Sequence, residues 1–169
     1  MLGSIDAIYS INLKNAVTFS SLKEKYLKEA AAEYIKRLRA YCDLNIVELD
    51  PIRLPEKPSD AEINAALERE AEQILKKIPD GSTVISLCIE GKQLSSEELA
   101  ETVAENSNFG RGLTFIIGSS CGLSEKIKRR SDIKLSFSKM TFPHQLFRIM
   151  LLEQLYRAFK INSGGSYHK

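Results

Sequence analysis

"LTFIIGSSCGLSEKIKRR", residues 113–130, decides the fold. It opens with an unbroken apolar run of strand length, passes through glycines and serines, and continues as a charged stretch with an isoleucine inside. A strand thus runs through a short turn straight into a helix. A run that is apolar at every position belongs to a strand covered on both faces, as in parallel sheets. Similar runs lie on either side: "AVTF" from Ala16, "LNIVEL" from Leu44, "TVISLCI" from Thr83 and "IKLSFS" from Ile133.

Helix starts alternate with these runs. Ser21 with Glu24, Ser59 with Glu62 and Ser95 with Glu98 have capping-box spacing, in which the serine oxygen takes a free backbone N–H and the glutamate reaches back to the cap. The helices they open are expected to end near residues 41, 78 and 105, and two more follow Leu123 and Phe142. The expected fold is α/β, a mainly parallel sheet with helices on both faces, in a single domain spanning 1–169. "DPIRLPEKPSD" is a proline-rich loop inside that domain. In such folds ligands collect at the carboxyl ends of the strands.

Composition narrows the chemistry. With 169 residues the chain is long enough for a proper core, and its net charge of +2 does not mark a general nucleic-acid binder. Any RNA contact must come from local runs such as Lys126, Lys128, Arg129 and Arg130. Cys42, Cys88 and Cys121 form no CxxC pair, and with two histidines the chain offers no zinc-site pattern, so no metal is expected. No membrane span and no leader are visible, which points to the cytoplasm.

Several places could carry chemistry. Gly118, Ser120 and Gly122 satisfy G-x-S-x-G between a strand and a helix, the context of a nucleophile elbow, so a serine hydrolase with Asp132 and His144 as partners is one reading. A glycine turn that lets a ligand approach the backbone is the other. Downstream, Pro143 opens the last helix after a short loop at 138–142. At 100° per residue Arg148 falls in line with Leu152, Leu155 and Phe159, so its guanidinium needs an internal carboxylate or an anionic ligand. The helix is apolar nearly all round at its start, which asks for a partner subunit. The tail "INSGGSYHK" places Tyr167 and His168 beyond two loosening glycines, and on its own it reads as a frayed end.

"LSFSKMTFPHQLFRIMLLEQLYRAFKI" with the terminal "YHK", "VISLCIEGK", "SSEELA", the "FIIG" and "GLS" of the turn, and "LKEKYLKEAAAEYIKRL" resemble the RlmH family. These are bacterial large-subunit (23S) rRNA pseudouridine-N3 methyltransferases of the SPOUT class. The resemblance runs from Leu13 to Lys169, leaving residues 1–11 as an extension. It implies a C-terminal trefoil knot, a homodimer, and S-adenosyl-L-methionine held by Leu87, Gly118, Phe137, Ser138, Lys139, Met140, Thr141 and Phe142. Ser119 stands where the family usually has a glycine, and Cys121 where it has a short or acidic residue. The resemblance also gives the tail a part, with Gly164 and Gly165 as a hinge that folds it over the pocket: His168 as general base, Tyr167 as a contact to the target base, and Arg148 as partner for an anion. A non-catalytic RNA- or ribosome-binding module is the remaining alternative.

Overall fold

The computed structural model describes residues 13–19 and 21–165. The elements follow in the order β1 (Leu13–Phe19), α1 (Lys25–Leu38), β2 (Asn45–Leu49), α2 (Asp60–Leu75), β3 (Thr83–Gln93), α3 (Ser96–Asn108), β4 (Leu113–Ile117), α4 (Glu125–Arg130), β5 (Ile133–Ser136) and α5 (His144–Asn162). They form a five-stranded sheet in the order β2-β1-β4-β3-β5. Every pairing in it is parallel.

Alternation along the strands sorts the core onto two faces. On one, Ile85, Phe115 and Leu135 meet Leu27 and Ala31 of α1, Val103 of α3 and Leu151 and Phe159 of α5. On the other, Val17, Val84 and Ile116 meet Ala71 and Ile74 of α2 and Ile127 of α4. All of β4 is buried, as its unbroken apolar run requires. No helix among the described residues is long and apolar enough to cross a membrane.

The capping boxes of α2 and α3 form as read. Ser59 and Ser95 accept from the backbone N–H groups of Glu62 and Glu98, whose carboxylates take the serines' own N–H groups at 2.8 and 2.7 Å. Ser21 does not cap α1, which begins at Lys25 with Glu24 as its N-cap and no side-chain bond. The reason is tertiary: Leu22 is buried in the core, and Lys23 donates its N–H to Gln145 Oε1 at the start of α5. That anchoring holds 21–23 outside the helix.

Arg148 is buried where the helical spacing puts it, and its partner is a carboxylate of the protein, Glu48 on β2, at 2.6 Å. The pair ties the start of α5 to the sheet.

β3 runs further than its apolar stretch. Leu87 pairs with Leu135, the register then shifts, and Lys92 pairs with the same Leu135. A Cβ on Gly91 would lie 2.6 Å from the carbonyl carbon of Leu135 and 2.7 Å from that of Lys134. The outer arm of β3 therefore rests on the backbone of β5, an approach that requires a residue without a side chain.

Candidate functional site

At the carboxyl ends of β3, β4 and β5 the chain encloses a cavity of about 540 Å³. That falls within the range of about 300–1,000 Å³ in which proteins take small ligands. The turn after β4 makes one wall. Gly122 adopts φ 85° and donates its N–H to the carbonyl of Ser119 at 2.9 Å, closing the turn. A Cβ on Gly118 would run into the Gly122 carbonyl, 2.6 Å from its carbon, so the tightness of the turn depends on this glycine. Behind it Glu70, 4% exposed, accepts from Ser119 Oγ at 2.8 Å and from the Ile52 N–H at 3.0 Å.

The opposite wall is the loop after β5. Ser138 shapes it: its carbonyl accepts from Ser136 Oγ, and its hydroxyl accepts from the Met140 N–H, each at 3.0 Å. Phe147 of α5 stacks on Phe137 and meets Phe142 edge-on, with ring centroids 5.0 and 6.1 Å apart. The result is an aromatic floor next to a turn with exposed backbone.

Of the residues expected to hold a cofactor, Leu87 and Gly118 line this cavity, together with Phe137, Ser138, Met140, Thr141 and Phe142. Lys139, in the same loop, is not among the lining residues. Arg148 also lies outside the wall, and its Nε is buried without an acceptor. Tyr167 and His168 fall outside the described residues. The glycines before them are described, and they end α5. Gly164, at φ 71°, donates to the Ile161 carbonyl and Gly165 to the Lys160 carbonyl, which is the paired bonding of a Schellman helix stop.

The hydrolase reading fails on geometry. Ser120 follows the carboxyl end of β4, whereas Asp132 accepts from the Val84 N–H at 2.8 Å, at the amino end of β3. In a parallel sheet these are opposite ends, so His144, which does line the cavity, cannot bridge them.

Sequence reading missed Cys88 and Glu90 on the β3 wall, and it placed Lys128 in a basic run offered for RNA contact. Lys128 instead turns back into the cavity wall, where it pairs with Glu90 and lies 3.1 Å from Glu125. Its side chain is 19% exposed. The hydrogen bond that Lys128 donates to Glu90 holds the Glu90 carboxyl below its ordinary range and raises the ammonium of Lys128 above its own. Lys126 and Arg129 keep to the surface.

The cysteines should separate in reactivity. Cys121 is exposed in the turn, burial followed by the Glu90 charge raises the Cys88 thiol, and burial followed by Asp43 pushes Cys42 up to about 12. With iodoacetamide at pH 8, peptide mass spectrometry should find Cys121 modified first, Cys88 more slowly, and Cys42 only after unfolding. Because the Cys42 value is raised on folding, its contribution to stability is complete below pH 9.0 and is lost as pH climbs toward 12. Early modification of Cys42 in the native protein would contradict this order.

Residues 14–168 match the family described as "Predicted SPOUT methyltransferase". The chain is 51% identical over 154 residues to the ribosomal RNA large subunit methyltransferase H of Carboxydothermus hydrogenoformans, covering 90% of this chain and 97% of that one. The proteins of the same name from Bacillus thuringiensis and Clostridium acetobutylicum match at the same identity and coverage. Among solved structures, the SpoU methyltransferase AviRb from Streptomyces viridochromogenes, in complex with AdoMet, superposes with a TM-score of 0.45 at 11% identity, over 92% of this chain and 60% of that one.

Proposed function

Because the chain belongs to the SPOUT methyltransferase family, we propose that it methylates large-subunit (23S) rRNA, at N3 of a pseudouridine on the assembled ribosome, using S-adenosyl-L-methionine. The observation that carries this reading is the cavity itself: a glycine turn too tight for any side chain at Gly118, facing an aromatic loop. The two walls suit the cofactor, since a flat base can lie on the Phe137, Phe142 and Phe147 cluster while the backbone of 118–122 meets its polar edges. Leu87 closes the base of the site, and residues 137–142, Lys139 included, close its lid. Bound there, the cofactor supplies an electrophilic methyl group on its sulfonium.

The chain's own residues have to align the acceptor and exclude water. N3 of pseudouridine is an imide nitrogen that attacks well only after losing its proton, and the charge then spreads to the neighbouring carbonyl oxygens. His168 takes that proton and Tyr167 contacts the target base. Arg148, fixed by Glu48, is the cation assigned to the developing charge.

The site is completed in a homodimer in the cytoplasm. Tyr26, Met140 and Leu146 stay exposed in the first turn of α1, the 137–142 loop and the first turn of α5, which is the apolar surface a second copy would cover. We take the C-terminal part of the chain as the trefoil knot implied by the family. Lys126, Arg129 and Arg130 supply phosphate contacts.

Calorimetric titration with S-adenosylhomocysteine tests the reading. The protein should bind it saturably, and Gly118→Ala, whose methyl group invades the turn, should lose that binding. A folded protein that binds no S-adenosylhomocysteine would refute the proposal.

A further inference from the structure

Among the described residues that line the cavity, Glu90 and Lys128 are the only Asp, Glu, Lys or Arg side chains. They come from different elements, the outer arm of β3 and α4, and meet in an ion pair. A lysine ordinarily keeps its ammonium in water. Here Glu90 and Glu125 draw it against the wall. The shifts of the two groups keep both charged through the neutral range, so the cavity presents a fixed negative site beside a fixed positive one.

Neither charge is saturated by its partner. An ammonium has three donors, of which Glu90 and Glu125 engage two, and a carboxylate offers about four acceptor positions. A ligand that brings an ammonium next to a carboxylate could join this pair without stranding any charge, since each of the four groups keeps an opposite neighbour. The amino-acid end of an S-adenosyl compound is such a ligand group. Its adenosyl end carries no anion and suits the aromatic side of the cavity.

We infer that Glu90 and Lys128 form the amino-acid subsite of this cavity, Glu90 accepting from the ligand's α-ammonium and Lys128 donating to its α-carboxylate. The inference rests on the reading that the cavity takes an S-adenosyl compound. A competing use of Glu90 is the ribose, whose vicinal hydroxyls a carboxylate can also accept.

Two ligands separate these uses: S-adenosylhomocysteine, and 5′-methylthioadenosine, which keeps the adenine, ribose and sulfur but lacks the amino acid. In titrations of the full chain, Glu90→Gln and Lys128→Met should each weaken S-adenosylhomocysteine by about tenfold or more, the size of a lost charge-assisted contact. Binding of 5′-methylthioadenosine should stay within about twofold of wild type, which also shows that the variants keep an intact cavity. Lys128→Arg, which retains the charge, should recover most of the affinity for S-adenosylhomocysteine. Equal losses on both ligands, as ribose recognition or a damaged cavity would give, overturn the inference. Unchanged S-adenosylhomocysteine binding overturns it too. If wild type binds neither ligand, the cofactor reading falls and takes this inference with it, an outcome distinct from a subsite failure, in which wild type binds both.

Discussion

A chain ending at Ser166 should bind S-adenosylhomocysteine as the full chain does, yet transfer methyl groups about 100- to 10,000-fold more slowly, the usual worth of a positioned general base. Among the described residues the cavity is lined from within 87–90, 117–123 and 136–147 and by Lys128, and the truncation removes none of these. What it removes is the proposed base and its neighbour. The glycines expected as a hinge form a helix stop: Gly164 and Gly165 return their N–H groups to the last turn of α5. Methylation of ribosomes with a labelled cofactor, alongside calorimetry, reads both halves of the prediction. Normal turnover by the truncated chain would remove His168 and Tyr167 from the mechanism. His168→Ala alone should reproduce most of the loss.

The second large effect belongs to Gly91. Gly91→Ala should lower stability by about 3 kcal/mol or more, the upper range for overpacking against atoms that cannot move aside. For a chain of this length that is roughly a 6–12 °C fall in Tm. The clash is with carbonyl carbons of Lys134 and Leu135, held in the sheet by pairing on β3, so no side-chain rotation relieves it. Gly81, where an added Cβ meets nothing within 4 Å, is the control for a glycine substitution as such, although its φ of 70° leaves a smaller backbone cost. A Gly91→Ala melting point equal to that of Gly81→Ala would mean that β3 does not lie on β5 as described.

The legible parts of the fold were those in which one local signal acted alone. LTFII read as a buried strand because both its faces are covered, and the serines at 59 and 95 read as caps because nothing else competes for them. Ser21 misled because Leu22 and Lys23 are claimed by the core and by Gln145, contacts that no local pattern displays. The outer arm of β3 was illegible for a similar reason. Ile89 to Gln93 include a glycine and charged residues and are largely exposed, and they count as strand only through pairing with a segment far along the chain.

The candidate site divides in the same way. The glycine turn and the loop after β5 could be marked as open to a ligand from their residues alone. The Glu90–Lys128 pair could not, because a lysine in "EKIKRR" looks like any solvated helix residue until the fold sets β3 beside α4. Arg148 sits between these cases: its burial followed from helical spacing, and the identity of its partner required the sheet.

Glu70 has one further consequence. A single buried carboxylate accepts from Ser119 in the cavity turn and from Ile52 in the proline-rich loop after β2. If either segment lifts away, one oxygen of that carboxylate is left in the interior without its donor, a cost that favours release of the other segment as well. The turn and the loop, distant in sequence and on different elements, are therefore tied together through one side chain. The backbone of the cavity turn is thus held by a part of the chain that does not line the cavity.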